Sequence, residues 1–373
     1  MANVIFHIGL PKTGTTSIQN FLYHHAAWLG ERGVYYPKPI FGANHVVELL
    51  QIVRAKNPNA NIRWAARFEK LATSESARLP LMIEAVKNAR EASTDSIISH
   101  EGFLKTISTR DHIEWLAEKF GRTNVKVILY LRRIDQWVEA SISQRSKGVE
   151  PYSDEMVRRA ARNRLESYEK IEQNLEVWEE IFGSQSIVVR PFERKSFVGG
   201  DVISDFAHAL DLPELSRLFE QKRKNFRTRN LSPNVESVRL WPQFLSYPVS
   251  KRTELEKKIV YLLSSQQLLE RLGPPRASFL SFEARTSLVQ RVSGMYGRLA
   301  EKYLGQEKFF VDEGPQEGDF PEFTPADEKR TFEIMYDFLV ESFRAEGIDA
   351  KVLLSERMKS GISDTKPERP LAT

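Results

Sequence analysis

With 373 residues and 41% hydrophobic composition the chain can bury a sizeable core, yet no apolar run approaches the ~20 residues that span a bilayer. The net charge of +4 comes from 54 basic and 50 acidic residues with no dominant Lys/Arg run; this argues against a nucleic-acid partner and suits a small anionic one. The absence of cysteine excludes disulfides and thiolate metal sites and fits a reducing, cytoplasmic compartment.

Val4 to Ile8 reads as a short apolar, β-branched strand, close enough to the start that no secretory signal is expected. Gly9 to Gly14 forms a tight loop, and from Thr15 onward Ile18, Phe21, Leu22, His25 and Leu29 recur at helical spacing. Gly33 to Pro37 is a second strand closed by proline, followed by a loop over Phe41 to Asn44. Helices are expected over His45–Arg54, Ala60–Leu71 and Leu81–Glu91, leading into a third strand at Ser96–Ser99. Asp111 to Phe120 is helical and stops at Gly121. The near-continuous apolar run Val125–Leu131 has the character of a strand covered on both faces of a parallel sheet.

A helix follows from about Asp135, and Tyr168, Ile171, Leu175, Trp178 and Phe182 mark one long amphipathic helix. Ser186 to Arg190 supplies a fifth strand. Strands alternating with helices predict an α/β chain with a doubly wound, mostly parallel sheet over residues 1–211. Beyond Leu212 only helices are expected, at Leu255–Leu263 and Phe332–Phe343, so residues 212–358 read as a helical elaboration packed on the core. Residues 359–373 lack periodicity and read as a disordered tail.

The stretch VIFHIGLPKTGTTSIQ carries the chemistry. A strand, a glycine-bracketed loop and a helix N-terminus make an anion cradle, because loop amides converge and the helix dipole adds positive charge. Gly9 and Gly14 have the spacing of a nucleotide phosphate loop and Thr16 fills its hydroxyl position. The lysine position, however, is Thr15, and the loop's lysine is Lys12. Such a loop is poorly equipped for a triphosphate with its metal and well equipped for a shorter anion, so no metal is expected.

The run Pro11-Lys12-Thr13-Gly14-Thr15-Thr16 resembles the 5′-phosphosulfate loop of sulfotransferases that use 3′-phosphoadenosine 5′-phosphosulfate (PAPS). The resemblance implies a P-loop-type three-layer fold in which Lys12 contacts the oxygen bridging sulfur and phosphorus. It implies that the loop amides and threonine hydroxyls, with Ser17 next in line, hold the 5′-phosphate. Arg132 and Arg133 leave the strand Val125–Leu131, and Ser141 follows Arg133 by eight residues. This spacing resembles the family's 3′-phosphate motif and implies Arg133 and Ser141 as its grip, with Arg132 the alternative if the register slips by one.

The general pattern, HIGLPKTGTTS…Q, then YLRR and later RPFER…GGD…DF, is most similar to bacterial sulfotransferases acting on saccharide-type acceptors. The implied partner is a hydroxyl-bearing saccharide or glycolipid, compatible with peripheral membrane contact, and the implied product is adenosine 3′,5′-bisphosphate (PAP). Two departures stand out. Ser17 occupies the position where cytosolic members often carry an adenine-stacking Trp, and their late RKG segment has no clear equivalent. The basic cluster Lys222-Arg223-Lys224 with Arg227 and Arg229 is a candidate substitute, or a solvated loop.

Sulfuryl transfer requires a base for the acceptor hydroxyl. His100 and Glu101, just past the third strand, are equal candidates, with His45 a third. His7 reads as a core or supporting group, and His24 and His25 as structural. Trp241, Phe244 and Tyr247 could stack on a sugar or simply fill the core. Two other readings stand beside the enzyme: a P-loop kinase or nucleotide-binding regulator, disfavoured because Arg132 and Arg133 stand where a metal-binding aspartate would, and a non-catalytic PAP-binding relative.

Overall fold

The computed structural model describes residues 2–40, 42–56, 70, 78–148, 150–222, 234–246, 253–273, 278–312, 314–317 and 324–349. The strands are β1 (Val4–Gly9), β2 (Val34–Tyr35), β3 (Asp95–Ser99), β4 (Val125–Leu131) and β5 (Ile187–Pro191). They form one five-stranded sheet in the order β2-β3-β1-β4-β5, and every pairing is parallel. The α/β sheet fold read from the sequence is therefore the one observed. Sandwiched between β3 and β4, β1 is buried along its whole length.

The helices in chain order begin with α1 (Thr15–His24), α2 (Ala26–Gly30), α3 (Val46–Lys56) and α4 (Arg78–Glu91). Next come α5 (Phe103–Thr106), α6 (Arg110–Phe120), α7 (Ile134–Gly148), α8 (Asp154–Glu169) and α9 (Ile171–Phe182). After β5 follow α10 (Val202–Ala209), α11 (Pro213–Lys222), α12 (Val235–Leu240) and α13 (Glu254–Leu263). The remainder are α14 (Gln266–Leu272), α15 (Phe282–Leu299) and α16 (Pro325–Arg344). No helix among the described residues is long and apolar enough to cross a membrane.

Alternation along β1 builds the three layers, because successive side chains of a strand point to opposite faces. Ile5 packs into one cluster with Ile18 and Phe21 of α1, Phe206 of α10 and Phe219 of α11. Phe6, on the other face, meets the rings of Phe103, Phe120, Trp178 and Phe182 at centroid distances of 5.7–6.2 Å. Full burial of such a ring contributes about 1.5–3 kcal/mol.

The chain divides into two compact units that interleave in sequence. The first comprises Met1–Ile134, Leu165–Arg227 and Val289–Glu313 and contains the sheet. The second comprises Asp135–Arg164, Thr228–Leu288 and Gly314–Thr373. This partition differs from a cut at residue 211. The physical reason is that the segment Val289–Glu313 bonds back into the sheet unit: Tyr296 Oη accepts the Ile134 amide proton (2.9 Å). In the second unit Arg285 bridges Asp135 (2.9 Å) and Glu139 (3.2 Å), and all three are largely covered.

Three expectations need correction or lie elsewhere. The long helix through Tyr168 and Phe182 is two, α8 and α9, broken at Lys170. Trp241 and Phe244 are fully buried, and Phe244 stacks on Phe332 at 5.4 Å, so both are core and not sugar platforms. The expected helix over Ala60–Leu71, most of the cluster from Lys222 to Arg229, Tyr247 and the tail from 359 lie outside the described residues.

Candidate functional site

Gly9 ends β1 with φ +124°, and a Cβ there would sit 2.6 Å from the carbonyl oxygen of Glu101. Only glycine accepts both that backbone and that approach. The chain then turns: Leu10 N–H donates to the Tyr130 carbonyl of β4 (3.0 Å), and Thr13 Oγ1 donates back to the Leu10 carbonyl (2.5 Å). Lys12 takes a left-handed backbone (φ +69°) at the tip. Gly14 caps α1 with φ +71° and, being glycine, offers no side-chain cap. First-turn amides such as those of Thr15 and Thr16 have no intrahelical acceptor, an arrangement chemically suited to an anion. Thr13 and Thr15 are buried, Pro11, Lys12, Gly14 and Ser17 half-buried, and Thr16 exposed.

β4 delivers the two arginines. Arg132 Nη1 donates to the Lys12 carbonyl (3.3 Å), and its guanidinium lies over the Phe192 ring at 5.7 Å. Buried Arg133 donates from Nη1 to the Asp312 carbonyl (3.3 Å). Glu193 holds that segment by accepting the Val311 and Asp312 amides at 2.7 and 2.8 Å. The arginine tied to the loop is thus Arg132. Ser141 is buried in the second unit, where its hydroxyl donates to the Trp137 carbonyl (2.7 Å), so Arg133 and Ser141 fall in different units. Behind β4, Asp205 collects Tyr130 Oη (2.7 Å), both sides of the Arg190 fork and the Val198 amide (2.9 Å). This buried carboxylate locks β4, β5 and α10 together and gives the DF pair a structural part, while Asp201 of the GGD run caps α10 by accepting the Ile203 and Ser204 amides.

On the other flank, β3 runs into His100 and Glu101. Gly102 N–H donates to His100 Nδ1 (2.9 Å), so Nδ1 is an acceptor and the neutral ring carries its proton on Nε2. Burial lowers the His100 pKa, more than the neighbouring Glu101 raises it. For Glu101, burial pushes the pKa up, but His100, its own backbone amide, Gln19 and His7 outweigh it and hold the carboxyl below its usual range. Glu101 Oε2 accepts a hydrogen bond from Gln19 Nε2 (3.2 Å). The result is an ionised carboxylate beside a neutral imidazole.

His45 has both ring nitrogens engaged by backbone. Its Nδ1 accepts the Ser99 amide (3.1 Å) and its Nε2 donates to the Pro37 carbonyl (3.0 Å), and burial lowers its pKa to about 4. It staples β3 to the segment after β2. Tyr36 Oη on the Ala43 carbonyl (2.7 Å) and Glu48 Oε1 on the Ile40 amide (2.8 Å) pin the same segment. Glu48 Oε2 has no hydrogen-bond partner among the described residues, and burial pushes this carboxyl up to about 7. His7 is buried with Nδ1 2.8 Å from Ser99 Oγ, and burial lowers its pKa to about 4. His24 lies in the last turn of α1 and His25 Nδ1 lies against the Phe21 carbonyl (2.8 Å), both structural.

The structure therefore brings Lys12, Arg132, Gly9, Glu101 and His100 to one edge of the sheet unit. Sequence reasoning assigned nothing to Gln19 or to the Ser99 hydroxyl. The available signal was a glutamine on the same helical stripe as Ile18 and Leu22, where an unpaired amide would be costly.

Replacing Gly9 with Ala is expected to destabilise the protein by about 1–3 kcal/mol from backbone strain alone, before the contact with Glu101 is counted. Urea denaturation measures it, and a variant as stable as the parent would refute the close-approach argument. Glu48 gives a pH test. Its pKa is raised from 4.5 unfolded to about 7 folded, so its contribution is complete below 4.5 and lost as pH rises through about 7. Glu48→Gln lacks that titration. Its stability relative to the parent should rise by up to ~3 kcal/mol between about pH 4.5 and pH 8 in denaturant titrations.

No family model matches the chain. A protein of Archaeoglobus fulgidus described as uncharacterized is 28% identical over 269 residues, covering 68% of this chain and 67% of that protein.

Proposed function

We propose that the protein is a sulfotransferase that moves a sulfuryl group from PAPS to a hydroxyl of a saccharide or glycoconjugate. One arrangement carries the reading: the PKTGTT loop opens α1 at the carboxyl end of the central strand, flanked by the Glu101 carboxylate after β3 and the strand-end arginines after β4. Ligands of open parallel sheets gather at this edge. The residues fit a 5′-phosphosulfate: an uncapped helix N-terminus, a glycine at each end of the turn, and Lys12 within it. The cysteine-free composition supports a reducing compartment such as the cytoplasm.

PAPS supplies an activated sulfuryl group when bound. Glu101 takes the proton of the acceptor hydroxyl. An ionised carboxylate can do so, whereas His100, with its lone pair turned to the Gly102 amide, serves as a neutral donor through Nε2. The loop amides and Lys12 stabilise the negative charge that develops on the departing 5′-phosphate. Arg132, anchored on the Lys12 carbonyl, fixes the loop and adds positive charge beside it. Arg133, just past the end of β4, is the sheet unit's residue for the 3′-phosphate.

Thermal shift separates the readings. PAP should raise the melting temperature and Mg-ATP should not; stabilisation by Mg-ATP alone would favour a kinase-like protein. Lys12→Ala should keep the fold and lose transfer of ³⁵S from labelled PAPS to glycan acceptors. Glu101→Gln should lower turnover by about 10²–10⁴-fold with PAP affinity preserved. PAP binding without transfer to any glycan, lipid or phenol in the screen would mark a non-catalytic binder.

A further inference from the structure

A continuous polar chain lies under Glu101. His7 Nδ1 and Gln19 Nε2 both meet Ser99 Oγ, at 2.8 and 3.2 Å, and Gln19 Nε2 also reaches Glu101 Oε2 at 3.2 Å. Gln19 is only 2% exposed, one turn into α1 from Thr15 and set among Ile18, Phe21 and Leu22. A primary amide on such a face is unfavourable unless its protons are used. Here both N–H groups leave the helix, one for the last residue of β3 and one for the carboxylate just beyond it.

We propose that Gln19 is the positioning residue for Glu101, holding its carboxylate in one orientation from the helix that carries the anion loop. The inference rests on the reading of Glu101 as the base. The geometry makes the link specific. Gln19 donates to Oε2, leaving Oε1 as the oxygen not engaged by the amide, and Ser99 Oγ fixes the amide by taking its second proton. The same helix begins with Thr15 directly after the loop, so the loop and the carboxylate are tied to one element.

The groups acting on Glu101 are His7 from β1, Gln19 from α1, Tyr36 after β2, and His100 with the backbone of its own turn. Gln19 favours the ionised form by donating to it, so its removal shifts the titration of Glu101 upward.

The test is a ¹³C side-chain carboxyl NMR titration of the full chain, comparing the parent with Gln19→Met, which keeps length and loses both donors, and Gln19→Glu. Gln19→Met should raise the Glu101 midpoint by about one pH unit. Gln19→Glu, which puts a second carboxyl within bonding distance, should raise it further. In transfer assays the acid limb of the kcat profile should move with it while KM for PAPS stays constant. A Glu101 midpoint unchanged in both variants, with only the melting temperature lowered, would reduce Gln19 to a structural role. If Gln19→Met fails to fold, the near-isosteric Gln19→Glu still decides. Failure of PAP to bind the parent would sink the sulfotransferase reading and leave the Gln19–Glu101 link standing, because the titration needs no nucleotide.

Discussion

The carboxyl edge of this sheet depends on how closely the end of β1 can approach the turn after β3. Gly9 lets the Glu101 carbonyl lie where any side chain would collide with it. That contact fixes the loop relative to the carboxylate before any hydrogen bond is counted. The rest follows in sequence: Leu10 bonds to Tyr130 on β4, Thr13 closes the turn, and Arg132 grips the Lys12 carbonyl. The loop and the Glu101 carboxylate are thereby held by opposite neighbours of one central strand.

Electrostatics sorts the site's titratable groups into distinct states. His7, His45 and His100 are all held neutral by burial, and the first two have their ring geometry fixed by Ser99. Glu101, equally close to the core, stays charged because donors surround it. Glu48 goes the other way: burial outweighs its own backbone amide, the Ile40 amide and Arg78. Two carboxyls on neighbouring elements thus behave oppositely: burial pushes both up, and at Glu101 the adjacent His100, with its own backbone, Gln19 and His7, outweighs that push.

Much of this was legible in the residue order. The run Val125–Leu131 announced a doubly covered strand, and the two glycines bracketing the PKTGTT stretch, Gly9 and Gly14, announced a tight turn into a helix, because both signals are local and strong. The break at Lys170 was not legible, since Tyr168 and Ile171 keep the helical spacing across it. The state of the His100 ring was also hidden: it turns on the Gly102 amide, a contact set by backbone geometry two residues away. Gln19 looked like one more helix residue because its partners are 80 and 82 positions distant in the chain.

The sheet unit recruits Val289–Glu313, about a hundred residues beyond its last strand. Tyr296 meets Ile134 and Tyr168, and the Val311 and Asp312 amides seat on Glu193. During synthesis the five strands therefore leave the ribosome well before the segment that completes their packing. The nascent chain must hold a partly finished core in the meantime, at the stage when exposed apolar surface is most prone to aggregate. A fragment ending after β5 would be frozen in that unfinished condition.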